Sequence, residues 1–195
     1  IGLSIVERLG HTIHATYPAL TPLLATPPVH ASMAGVSLTV TIRIAGTRAM
    51  TRGGFLFTHR GYSGPAVLDL SHHATRPAAG ERAAWLVQWT DVDEAGGDTR
   101  VRAQEGLIVT RLRQEMSERL ADMCLSESGL ARDRRLAELR KDDRRRLVER
   151  LCRYRLPWTG DEGYRKAEVT GGGVALDEVD PRTLESRVQP GLFLC

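Results

Sequence analysis

Several common signatures of function are missing from this 195-residue chain. Its three cysteines, Cys124, Cys152 and Cys195, lie far apart and none forms a C-x-x-C pair. Neither a zinc cluster nor a disulfide framework is therefore indicated, and a reducing, cytoplasmic setting is expected. No apolar run approaches the roughly 20 residues of a membrane span, and no secretory leader is visible. No membrane partner is expected. The dinucleotide fingerprint G-x-G-x-x-G is absent. So is a G-x-S-x-G elbow, which leaves Ser63 and Cys152 without the pattern of a hydrolytic nucleophile. Net charge is only +3, a balance that does not demand a nucleic-acid partner.

What is present is the composition of a folded protein. Hydrophobic residues make up 42% and charged residues 26%, enough for one sizeable domain or two small ones. The most informative stretch runs from Phe55 to Leu70. Phe55 to Phe57 reads as the end of a buried strand, and Thr58 and His59 stand at its mouth. Gly61 and Gly64 permit a tight turn or a close backbone approach. Pro65 suits the first position of a helix, with Ser63 as its expected cap. Strand, glycine loop and helix start follow in that order, and such a start offers unpaired N–H groups to an electron-rich partner.

The surrounding chain alternates between extended and helical patterns. Ser4 to Leu9 reads as a short helix closed by Gly10. The prolines after His14 favour an extended edge segment. Val36, Leu38, Val40, Ile42 and Ile44 alternate with polar residues, as in a half-buried strand. Gly53-Gly54 precedes Phe55, which predicts a hairpin. Trp85, Val87 and Trp89 share one face of another strand, where core packing is the expected role and base stacking the alternative. His72 and His73 are adjacent, so they are expected to point apart and to make poor joint metal ligands. Residues 77–80 read as a loop, and Asp93 to Asp98 as an acidic turn.

From Ile108 the period changes. Ile108, Leu112, Met116, Leu120 and Cys124 recur every four residues and predict one amphipathic helix. Leu130 to Leu139 predicts a second. A third starts at Asp142 or Asp143 and is ended by Pro157. Residues 132–155 hold eleven Arg or Lys against five Asp or Glu. The acids are interleaved, as on the wet side of a small bundle, so a face for an acidic protein or anionic substrate is expected ahead of a nucleic-acid surface. Ala167 to Val174 contains Gly171-Gly172-Gly173. It is either a tight crossover or a place where backbone comes close to a ligand.

The string FTHRGYSGPAVLDLS, residues 57–71, resembles the hallmark segment of the YhiN/BaiN-type flavoproteins, FAD-dependent oxidoreductases found widely in bacteria. ERLGHTI, PALTPL, AGVSL and AEVTGGGV resemble other segments of that family in the same order. The resemblance implies an α+β fold in which a β-barrel-like domain carries a small helical bundle, both inserted in a dinucleotide-binding fold that these residues lack. It implies a β-rich domain over 1–107, a helical insert over 108–156 and return strands over 157–195. The chain opens on Ile1 and closes on an apparent strand entry, so a fragment of a longer protein is expected, inactive alone.

The same resemblance implies electron transfer through FAD, with NAD(P)H as donor and an organic acceptor such as a conjugated carbon–carbon double bond. Thr58 and His59 would lie near the flavin ring or the small-molecule substrate, with His59 donating a proton or a hydrogen bond. Gly61, Ser63, Gly64 and Pro65 would face the flavin's electron-rich edge. Thr170, Gly171, Gly172 and Gly173 would pass close to the cofactor. The partner would be the FAD-binding domain of the same polypeptide. The competing reading is a non-enzymatic binding module that uses the basic helical face for an acidic protein or nucleic acid.

Overall fold

The computed structural model describes residues 1–76, 82–92, 94–103 and 105–195. The loop expected over 77–80 and the first residue of the turn expected from Asp93 lie outside them. The protein is α+β. A short helix α1 (Gly2–Arg8) leads into strand β1 (Ile13–Ala19), which pairs antiparallel with β9 (Val169–Val174) in a two-stranded ribbon. The main sheet has seven strands: β2 (Leu23–Leu24), β3 (Ser37–Ile44), β4 (Met50–Phe57), β5 (Gly61–Ser63), β6 (Trp85–Gln88), β7 (Tyr154–Arg155) and β8 (Gly160–Asp161). Their order is β7-β6-β3-β4-β5-β2-β8.

The sheet curls toward closure because one short segment joins its two edges. Leu156 N–H bonds Trp85 O at one edge, and Thr159 N–H bonds Leu24 O at the other. The alternation read from Val36 to Ile44 is the inward face: Val36, Val40, Ile42 and Ile44 are all buried. Trp85, Val87 and Trp89 are buried as well, in the core role expected of them. Strand β4 begins earlier than expected and takes Gly53 and Gly54 into its interior. These glycines form a saddle for helix α2 (Pro65–Leu70). A Cβ on Gly53 would meet Ala66 N at 3.4 Å, and one on Gly54 would meet Pro65 Cδ at 3.4 Å. Helix α3 (His72–Thr75) follows directly.

The helical part departs from the sequence reading in three places. The predicted turn after Asp93 is helix α4 (Glu94–Ala103). Its Gly96-Gly97 pair lowers helix propensity, but Gly97 lets a neighbouring helix come close. A Cβ there would lie 3.1 Å from Val148 Cγ1 and 3.3 Å from Cys152 Sγ. The single helix expected from Ile108 is two, α5 (Ile108–Arg113) and α6 (Glu118–Glu127). Ser117 caps the second by accepting Leu120 N–H at 3.4 Å. All five periodic residues are nevertheless buried, so the stripe survives the break. The helix expected over 130–139 is a single 3-10 turn, Leu136–Glu138. Helix α7 (Lys141–Cys152) ends five residues before Pro157, because the chain turns there into β7. One continuous core, from Leu23 in the sheet to Leu151 in α7, runs through both parts. The return strands expected to the C-terminus stop at Val174, beyond which isolated bridges such as Val179 to Ser186 hold the chain.

Candidate functional site

Thr58, His59 and Arg60 form the turn between β4 and β5. Thr58 N–H donates to Gly61 O at 2.9 Å, and its hydroxyl oxygen accepts Gly61 N–H at 3.0 Å and Arg60 N–H at 3.3 Å. The hydroxyl therefore fixes the turn. His59 is exposed at the tip. Arg60 reaches Glu162 at 3.2 Å, and its carbonyl accepts Ala25 N–H. That ion pair ties the turn to the segment that leads from β8 into β9.

The glycines of the motif are used by the fold itself. Gly61 sits between β4 and β2. A Cβ there would overlap Leu23 O and lie 2.9 Å from Leu24 Cα. Gly64 has φ of +94°, and a Cβ on it would stand 2.7 Å from Gly54 O. Gly64, not Ser63, is the residue that caps α2, with no side-chain cap bond. Ser63 is instead paired with Leu56 in β5. Pro65 occupies the helix start as expected.

The triple glycine has an equally local explanation. Ala15 and Thr16 of β1 stand opposite Gly172 alone, which makes a β-bulge. Gly172 has φ of +80°, and a Cβ on it would overlap Ala15 O. A Cβ on Gly171 would overlap the Tyr17 ring, whereas Gly173 meets nothing nearer than Leu3 Cδ2 at 4.0 Å. Tested against a flavin, these glycines form no cradle. The chain's own atoms fill the space beside Gly61, Gly64, Gly171 and Gly172, while His59, Pro65 and Thr170 face solvent.

A buried polar network joins the sheet to the helices, and sequence reasoning missed it. His30 is 6% exposed. Its Nδ1 lies 2.9 Å from the Tyr62 hydroxyl, and its Nε2 lies 3.0 Å from the Tyr154 hydroxyl. Tyr62 donates to Pro157 O, and Tyr154 lies 3.1 Å from Glu127 Oε1 in α6. Burial, reinforced by the Glu127 charge, pushes both tyrosine hydroxyls well above their ordinary range, so both stay protonated. The His30 ring, followed by the Tyr154 hydroxyl, holds the Glu127 carboxyl below its usual value against the opposing effect of burial. These partners are 27 to 124 residues apart in sequence, so no local spacing could reveal them. An open hollow of about 380 Å³ borders His30 and Glu127.

A second histidine has the outline of a hydrolytic triad. His11 Nδ1 lies 2.9 Å from Glu178 Oε2, and His11 Nε2 lies 2.8 Å from Ser186 Oγ. The chemistry does not follow. Ser186 is buried, and its oxygen already accepts Val188 N–H at 3.1 Å and Gln189 N–H at 2.8 Å. The hydroxyl proton therefore points to His11, and His11 in turn donates to Glu178. The group is a staple that holds the segment after α1 against residues 178–189. Ser186→Ala is expected to cost about 1–2 kcal/mol, since buried His11 and two part-buried N–H groups lose their partner. Limited proteolysis of residues 176–195 should accelerate while the midpoint of sheet unfolding moves little.

The remaining candidates have structural roles. Cys124 and Cys152 are buried, and burial pushes the Cys124 thiol up to about 12, far from a thiolate nucleophile. His72 and His73 do not point apart. Their ring centroids are 4.2 Å from each other, and His72 Nδ1 is held by Asp69 O at 2.9 Å. Burial lowers the His73 pKa, followed by the neighbouring His72 and Arg76. Among the described residues no group of His, Cys, Asp or Glu could hold a metal, and no helix is long and apolar enough to cross a membrane.

Known proteins place this geometry in a family. Residues 17–169 match the family described as HI0933-like protein barrel and H2TH domain. The chain is similar to a ribosomal RNA dihydrouridine synthase of Escherichia coli (strain K12), 33% identical over 98% of this chain and 48% of that protein. It is similar to a protein of the same name from Haemophilus influenzae, 29% identical over 98% of this chain and 47% of that protein. A 3-dehydro-bile acid delta(4,6)-reductase of Clostridium scindens is 27% identical over 99% of this chain and 50% of its own length. The chain thus spans about half the length of the curated relatives it matches. The seven-stranded curled sheet, the helical part beside it and this match lead to one conclusion: the chain belongs to the HI0933-like barrel and H2TH domain family, within the FAD-dependent oxidoreductase superfamily.

Proposed function

We propose that this chain is the substrate-facing part of a flavin-dependent reductase that saturates a carbon–carbon double bond conjugated to a carbonyl. The observation that carries the reading is what the relatives' names share chemically. Dihydrouridine arises when the C5–C6 double bond of uracil, conjugated to its C4 carbonyl, is reduced. A delta(4,6)-reductase acting on a 3-dehydro bile acid works on a dienone. Uridine in ribosomal RNA is the favoured acceptor, because the two relatives that carry that name are 33% and 29% identical, against 27% for the reductase. The enzyme would then work in the cytoplasm.

FAD, when bound, supplies hydride transfer, and a dinucleotide-binding domain outside these residues would hold it, with NAD(P)H as the donor. The residues described here have the complementary tasks. Thr58 fixes the β4–β5 turn through the two N–H groups that its hydroxyl accepts. That turn presents His59 to solvent, where an imidazole can hydrogen-bond the acceptor carbonyl or deliver the proton that balances the hydride. Thr170 and the bulged ribbon form a second edge.

The test uses the full-length protein. It should carry a flavin absorption spectrum, and a strain lacking the gene should lose dihydrouridine from its ribosomal RNA. His59→Gln should slow reoxidation of the reduced flavin by substrate about 10- to 100-fold, with reduction by NAD(P)H unchanged. Unaltered turnover in that variant would leave His59 a turn residue only.

A further inference from the structure

The basic segment 132–155 is not uniformly neutralised. Arg132 meets Glu118 and Asp122, Arg134 and Arg146 share Asp143, Arg144 meets Asp98, Arg150 meets Glu127 and Arg153 meets Glu94. Five exposed cations of the segment have no carboxylate within ion-pair distance among the described residues. One, Arg155, stands apart in β7; the other four are Arg135, just before the 3-10 turn, Arg140, just before α7, and Lys141 and Arg145 in the first two turns of α7. Lys141 and Arg145, four apart, share a helix face and line an open groove of about 420 Å³ between α4 and α7, whose lining also includes Glu94, Asp98 and Glu149.

Their placement works against helix stability. The start of α7 is the positive end of its dipole, where cations cost roughly 0.3–1 kcal/mol each. Asp142 and Asp143 stand in that first turn, but Asp143 is already shared by Arg134 and Arg146. Asp142, Glu138 and Glu149 are exposed on the same turn and helix, so the four cations are not isolated from acids, but none is held in an ion pair among the described residues and all four are open to a phosphodiester backbone. A protein partner fits less well. Protein interfaces are anchored by clusters of apolar or aromatic side chains, and beside this patch the exposed large apolar residues include only Leu107, bridged to Arg135, with none in 132–155 among the described residues.

We propose that Arg135, Arg140, Lys141 and Arg145 form the docking surface for the RNA that carries the target uridine. The surface grips phosphates and leaves base recognition to the reaction site. This assignment rests on the uridine reading above and reverses the order expected from charge interleaving alone, which put an acidic protein or anionic substrate ahead of nucleic acid. Acids pair with Arg134, Arg144, Arg146, Arg150 and Arg153, which leaves these four cations outside any ion pair among the described residues.

The experiment measures binding of the full-length protein to a fluorescein-labelled, uridine-containing RNA hairpin across about 50–200 mM salt. A variant with Arg135, Arg140, Lys141 and Arg145 all replaced by Gln should bind at least about 30-fold more weakly at low salt. Its log K against log salt should be shallower by about 3. A control that removes the same charge elsewhere, with Arg43, Arg48, Arg165 and Lys166 replaced by Gln, should stay within about threefold of wild type. On ribosomal RNA the first variant should raise KM and keep kcat at saturation. Equal losses in both variants, or a polyglutamate probe binding as tightly as RNA, would overturn the surface. If wild type forms dihydrouridine and the patch variant matches it in KM and Kd, the surface fails and the reductase reading stands. If wild type forms none, the reading beneath it has failed.

Discussion

Gly61→Ala is expected to prevent folding or to cost about 3 kcal/mol or more, at the top of the range for overpacking a well-packed core. Gly61 is buried between β4 and β2, and a single methyl there would overlap Leu23 O and press on Leu24 Cα. Both obstacles are backbone, so no rotamer change relieves them. Relief would require β2 to leave the sheet and release its ladders with β5 and β8. Gly46→Ala is the control. Gly46 has φ of +77° but open space around it, so only the left-handed backbone is penalised, by about 1 kcal/mol. Thermal melting of the two variants decides. A Gly61→Ala protein that melts with the control would show that β2 yields freely.

His30→Ala should be nearly as damaging, about 3 kcal/mol, or roughly 6–12 °C in Tm for a chain of this size. It leaves the buried Tyr62 and Tyr154 hydroxyls each short of a partner and removes the ring that holds Glu127. The network also predicts an acid limb. The folded-state pKa of Glu127 is depressed, so the folded protein binds that proton less tightly than the unfolded chain. The stability it contributes is complete above the ordinary value near 4.5 and is lost as pH falls through the lower folded value. Glu127→Gln should therefore lower Tm at neutral pH and flatten its decline between those two values. An unchanged acid limb in that variant would remove Glu127 as its source.

Elements whose order is written in neighbouring residues were legible from sequence. The alternation of Val36 to Ile44 and the four-residue stripe from Ile108 to Cys124 report local periodicity and face the core, and the Pro65 helix start follows from the fixed backbone of proline. Helix α4 was not legible, because its two glycines read as a turn until α7 is packed against Gly97. Glycine was also an ambiguous signal for the site. Gly61, Gly64, Gly171 and Gly172 suggested room for a ligand, yet the chain's own backbone and the Tyr17 ring take that room. The His30 network was invisible for the opposite reason. Its members are ordinary residues in unrelated segments, and only the curl of the sheet brings Tyr62 and Tyr154 to one imidazole.

The ribbon gives the body between its strands a portable character. Ala19 and Val169 face each other across an antiparallel pair, at the ~5 Å separation such pairs hold. Polypeptide enters and leaves the body at one doorway. A graft of residues 20–168 at this doorway would bring its two junctions to one strand spacing, and would cost Thr75 the tie its hydroxyl makes to Pro18 O in the ribbon.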